Sequence, residues 1–176
     1  TSLIIGSIDA SDDDTVDEDF YIIKLQYEIQ HLWFNQLLDR QTSSLGLWMH
    51  YTDQVLPDAE RPLLTGPLAV RGYKPALFSA DRSALLRLEH RFAGIGYGKQ
   101  LRIYPFLFLD AVKAEQNAQA EDDVFFSAAG VGIEMEWAKI ATSGFSAGFP
   151  LEQRSSTALS VEDYDPVVYG YFKLQF

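Results

Sequence analysis

The stretch Tyr21-Ile22-Ile23-Lys24-Leu25-Gln26-Tyr27-Glu28-Ile29-Gln30 decides how the rest of the chain is read. Tyr21, Ile23, Leu25, Tyr27 and Ile29 fall on one face of an extended chain, and Lys24, Gln26, Glu28 and Gln30 on the other. A period of two is the mark of a β-strand with chemically distinct faces. Working outward, the alternation recurs and predicts strands over 2–10, 20–33, 42–54, 82–93, 100–113, 124–138, 140–150 and 166–176. One has Leu86, Leu88 and Phe92 opposite Arg87, Glu89 and Arg91. Another has Leu101, Ile103, Leu107 and Leu109 opposite Arg102, Tyr104, Phe106, Phe108 and Asp110.

These strands are long. Soluble strands cluster at about 5–6 residues, whereas a tilted strand crossing a bilayer needs about 9–11. Their apolar faces carry no charge in mid-strand. Trp33, Trp137, Phe149 and Phe176 stand near strand ends, where a membrane protein places an aromatic girdle. The connections 11–19, 55–81, 114–123 and 151–165 are long and alternate with the short ones at 34–41, 94–99 and 138–140. Outer-membrane barrels show that asymmetry, with short periplasmic turns and long external loops. The fold class expected is all-β, an antiparallel transmembrane barrel.

Composition narrows the function. The 176 residues carry a net charge of −11 and no cysteine. The acidic balance argues against nucleic acid as a partner, and thiolate metal sites and disulfides are excluded. No apolar run reaches the roughly 18–20 residues of a membrane helix. The acid run Ser11–Asp19 reads as a solvated loop without the spacing of a calcium-binding loop. Gly144-Phe145-Ser146-Ala147-Gly148 matches a nucleophile elbow, but no helix pattern and no later His follow it, so no catalytic residue is assigned. Gly94-Ile95-Gly96-Tyr97-Gly98 reads as a turn. His31, His50 and His90 lie on different strands without metal-ligand spacing, and no cofactor is expected. Glu134 and Glu136 read as wall residues together with Lys24, Glu28, Arg102 and Lys173. Pro105 inside a strand predicts an irregularity, since it lacks a ladder donor.

The longest connection contains Val70-Arg71-Gly72-Tyr73, and the wall beyond it carries Glu89 and then Phe108-Leu109-Asp110-Ala111-Val112. In these motifs the chain resembles the superfamily of outer-membrane barrel-assembly proteins and two-partner-secretion translocators. The resemblance implies that loop 55–81 folds back into the barrel with Val-Arg-Gly-Tyr at its tip, and that five strands follow it. It also implies a Phe-x-Asp-x-Gly motif on the wall, matched here except that Val112 replaces the final Gly. The alternation Phe172, Leu174, Phe176 is similar to that family's terminal assembly signal, with Gly170 one position off the usual register. A guanidinium taken into a lumen needs a carboxylate, so Arg71 is expected to be latched by Asp110, with Glu89 as second partner and Phe108 beside it. Gly72 is expected to allow a tight turn and Tyr73 to pack on the wall.

The whole chain, 1–176, is then expected to be the C-terminal part of a barrel of about sixteen strands. The function implied is secretion of a client protein through the pore. Its partners would be that client, outer-membrane lipid and the barrel-assembly machinery. The alternatives are an insertase of the same superfamily, a soluble β-barrel ligand-binding module, and the barrel anchor of an outer-membrane lipase.

Overall fold

The computed structural model describes residues 2–7, 19–33, 41–98, 100–117, 123–138, 140–155 and 165–174. The acidic stretch 11–18 and Phe176 lie outside them. Among the described residues all regular structure is β: β1 (Ser2–Ser7), β2 (Asp19–Trp33), β3 (Gln41–Tyr51), β4 (Arg82–Arg91), β5 (Ile95–Tyr97), β6 (Leu101–Glu115), β7 (Asp123–Trp137), β8 (Ala141–Ser155) and β9 (Val167–Leu174). The eight long strands pair antiparallel in the order β1-β2-β3-β4-β6-β7-β8-β9, and β5 adds to the side of β6. Among the described residues nothing pairs β1 with β9, so the sheet is open, as part of a barrel wall is.

The expected strands are present with shifted ends. β8 runs on to Ser155 rather than 150, and β3 stops at Tyr51 rather than 54. The short connection 94–99 contains β5, which sequence periodicity cannot flag in three residues. Pro105 does not break β6, which keeps its pairing with β7 through Pro105↔Ile133. The Pro105 carbonyl accepts from Phe92 N at 2.9 Å, on the β4/β5 side. Within a strand the N–H and C=O of one residue point to the same side. The donor Pro105 lacks therefore faces the gap between β4 and β5 and costs no bond to β7. The irregularity is on that same β4/β5 side, where three residues (92–94) span the gap that two (104–105) cross in β6.

Register carries one face through the whole sheet. Tyr27, Leu47, Leu86, Ala111 and Ser127 line up across it, and Leu88, Leu109, Ala129 and Phe149 lie one row along. This face is apolar and uncovered: Leu109 is 43% exposed, Val131 49% and Phe145 52%. On the described strands His31 and His90 stand at one rim of this face, and its Asp, Glu, Lys and Arg residues are confined to the other, the end that bears the long connections. There Lys113 lies 3.3 Å from Glu115 and 3.6 Å from Asp123, and Arg82 3.9 Å from Glu115. Below that rim, β6 presents no charge outward from Ala111 back to Leu101, about the length of a tilted membrane strand. A water-soluble module would bury such a face; among the described residues nothing covers it. Leu109→Arg is accordingly expected to destabilise the inserted barrel by about 2–4 kcal/mol. The readout is loss of the folded, heat-modifiable band on an unheated gel.

Candidate functional site: a loop clamped on the inner wall

The opposite face is covered by the connection between β3 and β4. Thr52–Asp81 leaves the sheet at the long-connection end and folds back along the inner wall. Two short turns organise it. Leu63 bridges Ser79 and Thr65 bridges Val70, and the backbone reverses at Gly66 (φ 113°) and Ala76 (φ 59°). Leu64, Ala69, Val70, Tyr73, Phe78 and Ala80 of the loop form one core with Leu85, Val112, Val124, Phe126 and Ala128 of the wall. Each large side chain buried there contributes about 1.5–3 kcal/mol. Val112, which stands where the family motif has Gly, is fully buried beneath the loop. Its isopropyl group fills the space a glycine would leave.

At the tip, Arg71 is 7% exposed and Asp110 fully buried. Arg71 Nε lies 2.7 Å from Asp110 Oδ2, and Nη2 2.9 Å from Oδ1, a two-pronged pairing. The backbone N–H of Arg71 donates to the same Oδ2 at 3.1 Å. Arg71 Nη1 lies 2.6 Å from Glu89 Oε2. Phe108 completes the seat, with the guanidinium carbon 3.8 Å from its ring centre. Burial pulls the Arg71 pKa down, but the hydrogen bonds and charges of Asp110 and Glu89 outweigh it and leave it raised. The cation stays charged inside the wall.

The clamp belongs to a larger network. Arg87 Nε approaches Asp110 Oδ1 at 3.5 Å. Arg91 lies 3.7 Å from Glu89 and 2.7 Å from Glu134. Three guanidinium groups and three carboxylates are thus interleaved, and their formal charges cancel. Such balance is what burial requires of charged groups.

Gly72 lies in a turn with Arg71, but its φ is not positive, so the turn's backbone conformation does not by itself call for glycine; close contact does. A Cβ at Gly72 would collide with the Ala128 methyl and lie 3.1 Å from both Phe149 C and Pro150 N. A Cβ at Gly148 would strike the Arg71 carbonyl. The two glycines let loop backbone lie directly on sheet backbone. Tyr73 packs edge-on against Phe126, with ring centres 5.0 Å apart. Its hydroxyl lies 2.8 Å from the Glu152 carbonyl and 3.2 Å from that of Ser127. Those two carbonyls belong to the pair beside a register shift between β7 and β8 at Ser127/Ala128.

Sequence reading missed a second hub at the loop's root. Asp81, fully buried, accepts from Leu56 N (3.0 Å), Arg61 Nε (2.9 Å) and Asn117 N (2.8 Å). Asn117 Nδ2 also donates to the carbonyl of Gln54 at 2.7 Å. The signal available was a single acid just ahead of a strand, too common to single out. Phe172 and Leu174 lie on the outward, apolar side of β9, 66% and 52% exposed. Among the described residues no three His, Asp or Glu side chains converge as metal ligands.

The profile of a protein family described as haemolysin secretion/activation protein ShlB/FhaC/HecB matches residues 5–136. No curated protein and no solved structure matches the chain.

Proposed function

Since the chain belongs to the haemolysin secretion/activation protein family ShlB/FhaC/HecB, outer-membrane transporters of two-partner secretion, we propose that it forms the C-terminal part of a barrel translocating a client protein past a latched loop. In this reading loop 55–81 occupies the lumen at rest. The clamp of Arg71 on Asp110 and Glu89 holds its tip on the wall. Translocation requires the tip to leave, which opens a lumen lined by Lys24, Glu28, Arg102, Glu136 and Lys173 to an extended chain. Mixed charge on a hydrated wall offers no deep trap to either sign. Lipid meets the apolar outer face. Phe172, Leu174 and Phe176 form the signal read by the barrel-assembly machinery.

The observation that carries this reading is the buried two-pronged pairing of Arg71 with Asp110. A surface loop has no reason to take a guanidinium out of water, and desolvating one costs several kcal/mol unless it is paired and hydrogen-bonded. The test is Arg71→Ala in the transporter in cells, followed by the amount of client in the medium. Secretion is expected to fall while the barrel still inserts and remains heat-modifiable. Arg87, already beside Asp110, can take over part of the lost pairing, so the barrel itself should tolerate the change. Undiminished secretion would remove the latch from the mechanism. Normal secretion accompanied by a defect in assembling other outer-membrane proteins would favour the insertase reading.

A further inference from the structure

Strand β9 has a single neighbour in the described sheet, β8, paired from Val167↔Gly148 to Leu174↔Ala141. Two of its inward side chains reach past the ladder. The Tyr169 hydroxyl donates to the backbone carbonyl of Tyr73, two residues from Arg71. The Tyr171 hydroxyl donates to Glu134, which is two strands away on β7. That reach depends on Gly144, the residue opposite Tyr171 on β8, because a Cβ there would collide with the Tyr171 ring.

The first contact ends on the loop tip, and the second leads to the clamp. Glu134 holds Arg91 at 2.7 Å, Arg91 approaches Glu89 at 3.7 Å, and Glu89 holds Arg71 at 2.6 Å. Elsewhere the loop and the start of β9 stand apart across a cavity of about 240 Å³, lined by Gly72, Lys74 and Leu77 on one side and Asp165 and Val167 on the other. The hydroxyl of Tyr169 spans that separation.

We propose that Tyr169 and Tyr171 are positioning residues that couple β9 to the loop tip, so that lifting the tip and loosening this strand are one event. The proposal rests on the reading that the tip leaves the wall. Coupling of this kind is reciprocal: whatever β9 contributes to holding the loop, the loop contributes to holding β9.

Reciprocity supplies the test. The 176 residues hold no cysteine, and Val70 at the tip is fully buried, so Val70→Cys adds one thiol to this region, labelled by a membrane-impermeant maleimide only when the tip lifts. Adding Tyr169→Phe, which keeps the ring and removes the hydroxyl, is expected to speed labelling about two- to twelve-fold, the equivalent of one net hydrogen bond. In the converse arm, Arg71→Ala is made in the whole transporter in lipid nanodiscs. Amide hydrogen exchange of residues 167–174 is expected to accelerate, with residues 45–47 of β3 unchanged. Wild-type labelling in Tyr169→Phe, or unchanged exchange of β9 in Arg71→Ala, would overturn the coupling. Neither arm reads secretion. Lost secretion with an unaffected β9 sinks the coupling and spares the latch, and a loosened β9 with normal secretion does the reverse.

Discussion

Asp110→Ala is expected to free the loop tip more than any other single change in the clamp, raising maleimide labelling of the Val70→Cys reporter by about two to three and a half orders of magnitude. Removing one partner of a buried ion pair costs about 3–5 kcal/mol, because the other charge is left without compensation, and each 1.4 kcal/mol is a factor of ten. The acid serves more than one cation. Arg71 meets it through Nε, Nη2 and its own backbone N–H, and Arg87 approaches it at 3.5 Å. With Asp110 gone, three guanidinium groups face two carboxylates, Glu89 and Glu134, and the tip can relieve the imbalance by lifting into water. Arg71→Ala is milder, since Asp110 then keeps Arg87.

The magnitudes also bound what the substitution does. Leu64, Phe78 and Ala80 remain packed on Leu85, Val112 and Phe126, and the root stays tied through Asp81 and Arg61 at 2.9 Å. Labelling at the tip should therefore rise without loss of the heat-modifiable barrel. Asp110→Asn, which keeps an acceptor oxygen and loses the charge, should fall between. Labelling of Asp110→Ala at the wild-type rate would mean that the apolar core alone holds the tip.

Much of the wall was legible because a strand in a membrane must repeat its chemistry every second residue over its full crossing. The ends were less legible. Glu152-Gln153-Arg154 extends β8 beyond 150 at the polar rim, where both faces meet water and alternation carries no information. The candidate clamp was legible in part. Arg71, Glu89 and Asp110 are residue types that need one another, and the alternation put both acids on the inner face. Contacts made through backbone left no trace in the sequence. Tyr73 meets carbonyls beside a register shift that no periodicity announces. Gly72 owes its identity to Ala128 and Phe149, more than fifty residues away. Asp81 gathers its partners from Leu56, Arg61 and Asn117, on both sides of β4. Tyr169 and Tyr171 carry no motif of their own; the fold brings Tyr169 to the loop and Tyr171 to Glu134.

Gly72→Val should disrupt the tip on a scale comparable with Asp110→Ala, by steric rather than electrostatic means. The floor beneath Gly72 is backbone: Phe149 C and Pro150 N would lie 3.1 Å from a new Cβ, with the Ala128 methyl closer still. Overpacking usually costs about 1–3 kcal/mol and more where neighbours cannot move, and a paired sheet backbone yields little. Relief by lifting the loop would stretch bonds of 2.7 and 2.9 Å between Arg71 and Asp110 and of 2.8 Å between Tyr73 and Glu152. One branched side chain thus loosens the clamp without touching a charge. Because φ at Gly72 is not positive, the penalty follows contact and not backbone conformation. Gly148→Ala should accordingly act from the other side, through the Arg71 carbonyl. Gly96→Ala, with open space around it, should leave the Val70→Cys reporter protected. Gly72→Ala is the sharper case, since its worst collision is with a single methyl group. Combined with Ala128→Gly, it should recover much of the protection it loses alone. Labelling of Gly72→Ala that is slow without that second change would show that the loop backbone does not rest on the wall.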